Sequence, residues 1–262
     1  MRSIAIMNQK GGVGKTTTAV NVSAALAAAG FKVCLVDLDS QAHATLHFGI
    51  DTQSEGKTSV YDVLVGKLKL RDIRLHVAEN LFLIPAHLDM VGAEIELASA
   101  VGREVILRDE LADDDMTFDY LIVDCPPSLG LFTLNALTSV NEVFVPLQPH
   151  YFSLHGLMRL FDTLEVVARR LNKNLKLSGI LLTIFDNTVM SAEVSENVAN
   201  FFSQRDKLPL VCADAYIFKT KIRKNVKLAE APSHGKPIFG YDTRSTGAED
   251  YRNLAAEIIQ QR

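Results

Sequence analysis

Lys10-Gly11-Gly12-Val13-Gly14-Lys15-Thr16-Thr17 is the stretch on which the reading of this chain turns. It stands between Ser3–Met7, an apolar run of strand length, and Thr16–Ala29, an Ala-rich run of helical spacing that stops at Gly30. Glycines between a strand and a helix let backbone N–H groups close around phosphate oxygens, and the helix N-terminus adds the positive end of its dipole. Gly11, Gly12, Val13, Gly14, Lys15, Thr16 and Thr17 are therefore expected to bind a nucleotide, with Lys15 on the β- and γ-phosphates and the Thr16 hydroxyl on Mg²⁺. The strict G-x-x-x-x-G-K-[ST] pattern is not met, because Gln9 stands where its first glycine belongs. A second lysine, Lys10, stands at the mouth of the loop instead.

Outward from this loop, short apolar runs alternate with longer helical patterns. Further strands are expected at Lys32–Asp37, Leu81–Pro85, Tyr120–Asp124, Glu142–Leu147 and Ser178–Ile184. Most are continuously apolar, as strands buried on both faces of a parallel sheet must be. Helices are expected at Ser153–Leu171 and Gly247–Arg262, where apolar residues recur at turns of a helix. The pattern predicts an α/β fold, a single doubly wound, mostly parallel sheet flanked by helices, of the P-loop NTPase type. No repeat, low-complexity tract or linker divides it, so residues 1–262 read as one domain.

Two acidic segments fall at strand ends, where ligands of open parallel sheets sit. Asp37-Leu38-Asp39 closes one, and Asp124-Cys125-Pro126-Pro127 closes another. Asp124 has the form of an acid that holds Mg²⁺, commonly through water, and Asp37 or Asp39 could orient a water toward the γ-phosphate. Six acids between Asp109 and Asp119, with no basic residue among them, read as a solvated helix end and loop.

Composition bounds the rest. The 262 residues are 48% hydrophobic, enough for a sizeable core, and carry a formal charge of −4, which excludes a uniformly basic nucleic-acid binder. Cys34, Cys125 and Cys212 are too widely spaced for a CxxC motif, and their number suits a reducing interior. The apolar run Ile4–Met7 is too short for a signal peptide, and no stretch reaches the roughly 18 apolar residues of a membrane span. A cytoplasmic protein is expected. His43 and His47 share a helical spacing, but no third ligand or H-E-x-x-H pattern accompanies them.

These residues resemble the ParA/Soj branch of the ParA–MinD family, the ATPases with a deviant Walker A loop. The resemblance runs from Asn8–Thr18 through Asp37–Asp39 and Asp124–Pro127 to Asn225–Pro237. It implies ATP and Mg²⁺ as cofactors, and an ATP-bound homodimer in which Lys10 reaches the phosphates of the facing subunit while Lys15 acts in its own. It implies a hydrolytic role for Asp39, and slow turnover stimulated by a ParB-like or other cargo adaptor. Non-specific DNA binding by the ATP dimer is implied too, through basic residues near the C-terminus, with association to the nucleoid and partition of a chromosome, plasmid or protein cargo. Here those residues are Lys219, Lys221, Arg223, Lys224 and Lys227, a run without acids that could meet DNA phosphates despite the overall charge.

The chain departs from the family in places. Soj-like chains commonly read Pro-Arg-Asn-Val-Arg where this one has Arg223-Lys224-Asn225-Val226-Lys227; Ser40 replaces a common proline, and Thr188 a usual arginine. Two other readings stand beside the partition ATPase. A MinD-like membrane-associated positioning ATPase would need a terminal amphipathic helix beyond the fold, which is not expected here. A metabolic ATP-dependent ligase on the same fold would need a small acceptor.

Overall fold

The computed structural model describes residues 1–51, 57–150, 153–204 and 208–261. Eight strands form one sheet: β1 Arg2–Ile6, β2 Val33–Asp37, β3 Leu75–Ala78, β4 Leu81–Ile84, β5 Tyr120–Asp124, β6 Glu142–Leu147, β7 Lys176–Leu182 and β8 Tyr216–Ile217. Their order is β3-β4-β2-β5-β1-β6-β7-β8, and every pairing but β3 with β4 is parallel. The six expected strands are all present, within a few residues. The two that sequence reasoning missed lie at the edges. β3 is the antiparallel strand and mostly exposed, so it lacks a buried apolar run, and β8 is two residues long.

Because strand side chains alternate, the central strands feed two separate cores. Ile4 and Ile6 of β1 join Tyr120 and Ile122 of β5 under the helices Lys15–Ala28 and Thr246–Gln260, which contribute Val20, Leu26, Tyr251 and Leu254. Ala5 with Leu121 and Val123 faces the other way, against Leu137, Leu160, Phe161 and Val198 of the helices Leu131–Ser139, Ser153–Arg170 and Val189–Ser203. Of the expected final helix, Arg262 lies outside the described residues. The chain's two ends meet: the half-buried Arg2 pairs with Glu142 at 2.7 Å and donates to the Ile258 carbonyl at 2.6 Å.

The acidic run is, as expected, mostly an exposed helix end and loop, with Asp109, Asp113, Asp115 and Asp119 facing solvent, but Asp114 and Glu110 are spent on ion pairs. Asp114 is almost fully buried and takes the Arg74 guanidinium at 2.6 Å, pinning the entry to β3, and Glu110 takes Lys69 at 2.6 Å. The cations come from about 40 residues upstream, where no local pattern announces them.

Phe218 packs edge-on against Phe144, ring centroids 5.0 Å apart, across the backbone of Gly179 in β7. A Cβ on Gly179 would overlap the Phe218 ring and lie 2.9 Å from Phe144 Cδ1. Gly179→Ala is expected to cost about 1–3 kcal/mol in urea unfolding through overpacking, and an unchanged midpoint would show that Phe218 moves aside freely.

Candidate functional site

β1, β2 and β5 end in register, with Ile6 opposite Asp124 and Asp124 opposite Asp37. The glycine loop leaves β1 at this common edge. Gly12 (φ 73°) and Gly14 (φ 84°) take left-handed conformations, which a side chain would strain, and Gly14 starts the helix at Lys15. Side-chain bonds from outside the helix hold the loop. Asn8 Nδ2 donates to the Pro146 carbonyl at 2.7 Å, Lys10 N–H to Asn8 Oδ1 at 2.9 Å, and Thr183 Oγ1 to the Val13 carbonyl at 2.8 Å. Thr183 had no assigned part in the sequence, since a contact across 170 residues leaves no local signal.

The two lysines differ sharply. Lys15 is buried and donates from Nζ to the Lys10 carbonyl at 3.2 Å. Burial lowers its pKa, opposed by the carboxylates of Asp124 and Asp39. Lys10 is exposed, and its ammonium makes no ion pair among the described residues. Thr16 and Thr17 follow on the first helical turn, half-buried against the same opening.

The three acids also part company. Asp37 is fully buried and spent on structure: Oδ2 accepts from Thr45 N–H and Oγ1, both at 2.8 Å, and Oδ1 from Asp39 N–H at 3.2 Å. Thr45 Oγ1 in turn accepts from Ala86 N–H at 2.9 Å, so Asp37 fastens the helix His43–His47 to β2 and to the chain after β4. Burial raises the Asp37 pKa to about 6. Asp39 is at the opening, with Oδ1 on Gln41 N–H at 3.0 Å. Asp124 is fully buried, and among the described residues neither carboxylate oxygen meets a donor at full hydrogen-bond geometry, although the Thr16 hydroxyl stands beside it. Burial, then the neighbouring Asp37 charge, push its pKa up, while Thr16 and Lys15 beside it pull down. Two bare carboxylate oxygens next to a threonine hydroxyl are hard donors that fit a Mg²⁺ ion and its waters.

A cleft of about 860 Å³ opens over these groups. Gly12, Lys15 and Asp39 line one side, Pro127 another, and Lys224 and Asn225 the far wall. That volume suits a nucleoside triphosphate. Of the histidine pair, His43 lines the cleft, whereas His47 is buried and held neutral, its pKa pulled down to about 4 by burial. Cys125 is buried, and burial raises its thiol pKa, as for a core residue.

The basic segment does not present five equivalent charges. Arg223 is locked to the C-terminal helix: Nε and Nη2 reach Asp250 Oδ1 at 2.9 and 2.6 Å, and Nη2 reaches Glu249 at 2.6 Å. Lys227 pairs with Glu230 at 2.8 Å, and Lys221 lies 4.1 Å from the Phe185 ring centroid. Lys219 and Lys224 make no ion pair among the described residues, and of these two only Lys224 borders the nucleotide-sized cleft, beside Arg223. Lys219 lies instead beside Arg2 and Lys176, at the opposite ends of the strands. Thr188 caps the helix Val189–Ser203 by accepting from Ser191 N–H at 3.2 Å.

The chain matches the AAA domain family over residues 1–177. It is 48% identical over 257 residues to sporulation initiation inhibitor protein Soj of Bacillus subtilis strain 168, covering 97% of each chain. Identity to the chromosome-partitioning ATPase Soj of Treponema pallidum strain Nichols is 44% over 260 residues, 98% of this chain and 97% of that one. Among solved structures, cobyrinic acid a,c-diamide synthase from Mycobacterium smegmatis with a bound ATP analog and magnesium is similar at a TM-score of 0.83 and 36% identity, over 99% of this chain and 95% of the other.

The lock on Arg223 is testable without nucleotide. Asp250 is only 4% exposed, so Arg223→Ala strands a buried carboxylate. Discounted for screening at the partly exposed guanidinium, the expected loss is about 1–2 kcal/mol in urea unfolding, against less than about 0.5 kcal/mol for Lys224→Ala. Equal, negligible effects would mean the pair contributes nothing.

Proposed function

The chain belongs to the ParA/Soj branch of the ParA–MinD family of ATPases, and from that premise we propose a partition ATPase whose ATP-bound form pairs with a second copy and binds DNA without reading its sequence. It hydrolyses ATP to ADP and phosphate, and several of its relatives are named for chromosome partitioning. Residues 1–262 act as one ATPase domain in this reading.

The contrast between buried Lys15 and exposed Lys10 is the observation that carries it. A single chain needs one cation within its own cleft to hold the β- and γ-phosphates, and Lys15 is that cation. Lys10 adds a second ammonium at the mouth, free to meet a triphosphate held by another copy. Two facing triphosphates repel until cations from both sides neutralise them, so nucleotide and dimer close together. Gly11 to Thr17 bind the phosphates. Thr16 directly and Asp124 through water would hold Mg²⁺, which neutralises charge on the phosphate oxygens when bound. Asp39, at the opening, orients the attacking water, and positioning supplies most of the acceleration. Asp37, with both oxygens occupied by protein donors, serves as a structural fastener.

For DNA, Lys224 and Lys219 are the available cations, Lys221 and Lys227 become available by giving up a ring or a glutamate, and Arg223 positions the segment. Contacts of this kind are to phosphates and carry no base readout. A ParB-like adaptor would couple turnover to cargo, with the protein in the cytoplasm and on the nucleoid. The helix Thr246–Gln260 buries Tyr251, Leu254, Ala255 and Ile258 in the core, so these residues do not face a bilayer as the membrane alternative would ask of them. The synthase similarity favours a second reading, an ATP-dependent ligase, whose ATP turnover would depend on a small acceptor.

Lys15→Ala is expected to abolish ATP binding, whereas Lys10→Ala retains it and loses the ATP-dependent dimer in sedimentation. Normal dimerisation of Lys10→Ala with ATP would sink the assignment of Lys10.

Binding to a random-sequence duplex should require ATP, fall steeply with salt, and weaken at least several-fold in Lys224→Glu. Binding that ignores nucleotide, or none at all with the dimer intact, would reject the DNA reading.

A further inference from the structure

Asp124 ends β5 with its carbonyl accepting from Leu38 N–H at 3.0 Å, and the loop that follows it has few anchors. Cys125 N–H reaches the Ile6 carbonyl at 3.3 Å, but Pro126 and Pro127 have no N–H to give. Both prolines and Ser128 line the cleft, so this stretch is a wall of the nucleotide site. Beyond it the chain enters the helix Leu131–Ser139, whose N-cap is Gly130, a residue with no side chain to cap the turn. Two bonds from elsewhere fix this end. Thr133 Oγ1 donates back to the Ser128 carbonyl at 2.6 Å, and Leu131 N–H donates to Glu94 Oε1 at 3.0 Å.

Glu94 sits on the separate helix Met90–Glu96, which follows β4. Its carboxylate supplies from outside the cap and the negative charge that Gly130 lacks. The backbone makes room for it: a Cβ on Gly130 would overlap Glu94 Oε1 and stand 3.3 Å from its carboxyl carbon. Gly130 has an ordinary negative φ (−96°), so the conformation does not demand glycine there; a side chain would instead displace the exposed carboxylate of Glu94 from its place.

We infer that Glu94 is a positioning residue of the ATPase site: it latches the Asp124–Gly130 loop through the Leu131 amide and so sets where Asp124 and the Pro126–Ser128 wall stand. It touches neither nucleotide nor reacting atoms. The inference rests on the reading that Asp124 serves the bound magnesium.

If the latch is real, Glu94→Ala and Gly130→Ala break the same contact from opposite sides. Each should speed amide exchange at Leu131 in nucleotide-free protein by about tenfold. Each should also raise the Mg²⁺ concentration for half-maximal ATP turnover several-fold, with KM for ATP at saturating Mg²⁺ little changed. The double variant should be no worse than either single, since one contact cannot be lost twice. Glu94→Gln keeps an acceptor and should restore most of the magnesium response. A folding defect alone would move none of these selectively.

The latch is overturned by unchanged exchange at Leu131, by an unchanged magnesium response in Glu94→Ala, or by additive single effects. Asp124→Asn run alongside separates the two readings. Full turnover in that variant rejects the metal assignment, whereas an inactive Asp124→Asn with a normal magnesium response in Glu94→Ala rejects the latch alone.

Discussion

A carboxylate buried at the end of β5 is the constraint around which this molecule is arranged. Among the described residues Asp124 has only the Thr16 hydroxyl and the Lys15 ammonium beside it to favour its charge, in a position where ionisation is costly without a cation. Its register neighbours decide which cation can come. β1 places the glycine loop on one side, and with it Lys15 and the Thr16 hydroxyl; β2 places Asp37 on the other. Asp37 differs from it, because Thr45 and the Asp39 amide each donate to one of its oxygens. The sheet thus builds one bare acid and one satisfied acid from adjacent strands. That division separates a site from a scaffold.

The phosphate loop and its acids were legible because their physics is local. A strand, two left-handed glycines and a helix start occupy consecutive residues, and a continuously apolar strand ending in Asp needs no partner to be recognised. What escaped was whatever depends on contact across the chain. Thr183 clips the loop from β7, Asn8 is tied to β6, and the acids around Asp114 are neutralised by Arg74 and Lys69. The edge strands escaped for a related reason. β3 is mostly exposed and antiparallel, so neither burial nor alternation marks it, and β8 is too short to show any period.

The basic segment shows the same limit in its sharpest form. As sequence, Lys219 to Lys227 is a row of like charges, and each member has an equal claim on a phosphate. Folded, the row is sorted by residues more than twenty positions away: Asp250 and Glu249 take Arg223, and Phe185 takes the face of Lys221. The sorting follows chemistry. A guanidinium can serve two carboxylates at once with its planar fork, so the segment's one arginine became the structural cation and the compact ammonium groups stayed toward solvent. Arg223 ties the segment to the helix Thr246–Gln260 through its ion pairs with Glu249 and Asp250.

This sorting also joins the segment to the cleft. The Arg223 amide and side chain both bind Asp250, on the helix whose Tyr251 hydroxyl lies 3.1 Å from Thr18 on the phosphate-loop helix. Lys224, one residue on, hydrogen-bonds through its N–H to Phe185 and borders the cleft. The wall of the nucleotide site and the base of the cationic surface are therefore the same few residues of backbone. The helix Thr246–Gln260 packs on the helix Lys15–Ala28 through one core, so a shift of one against the other would reach the cleft and the segment together.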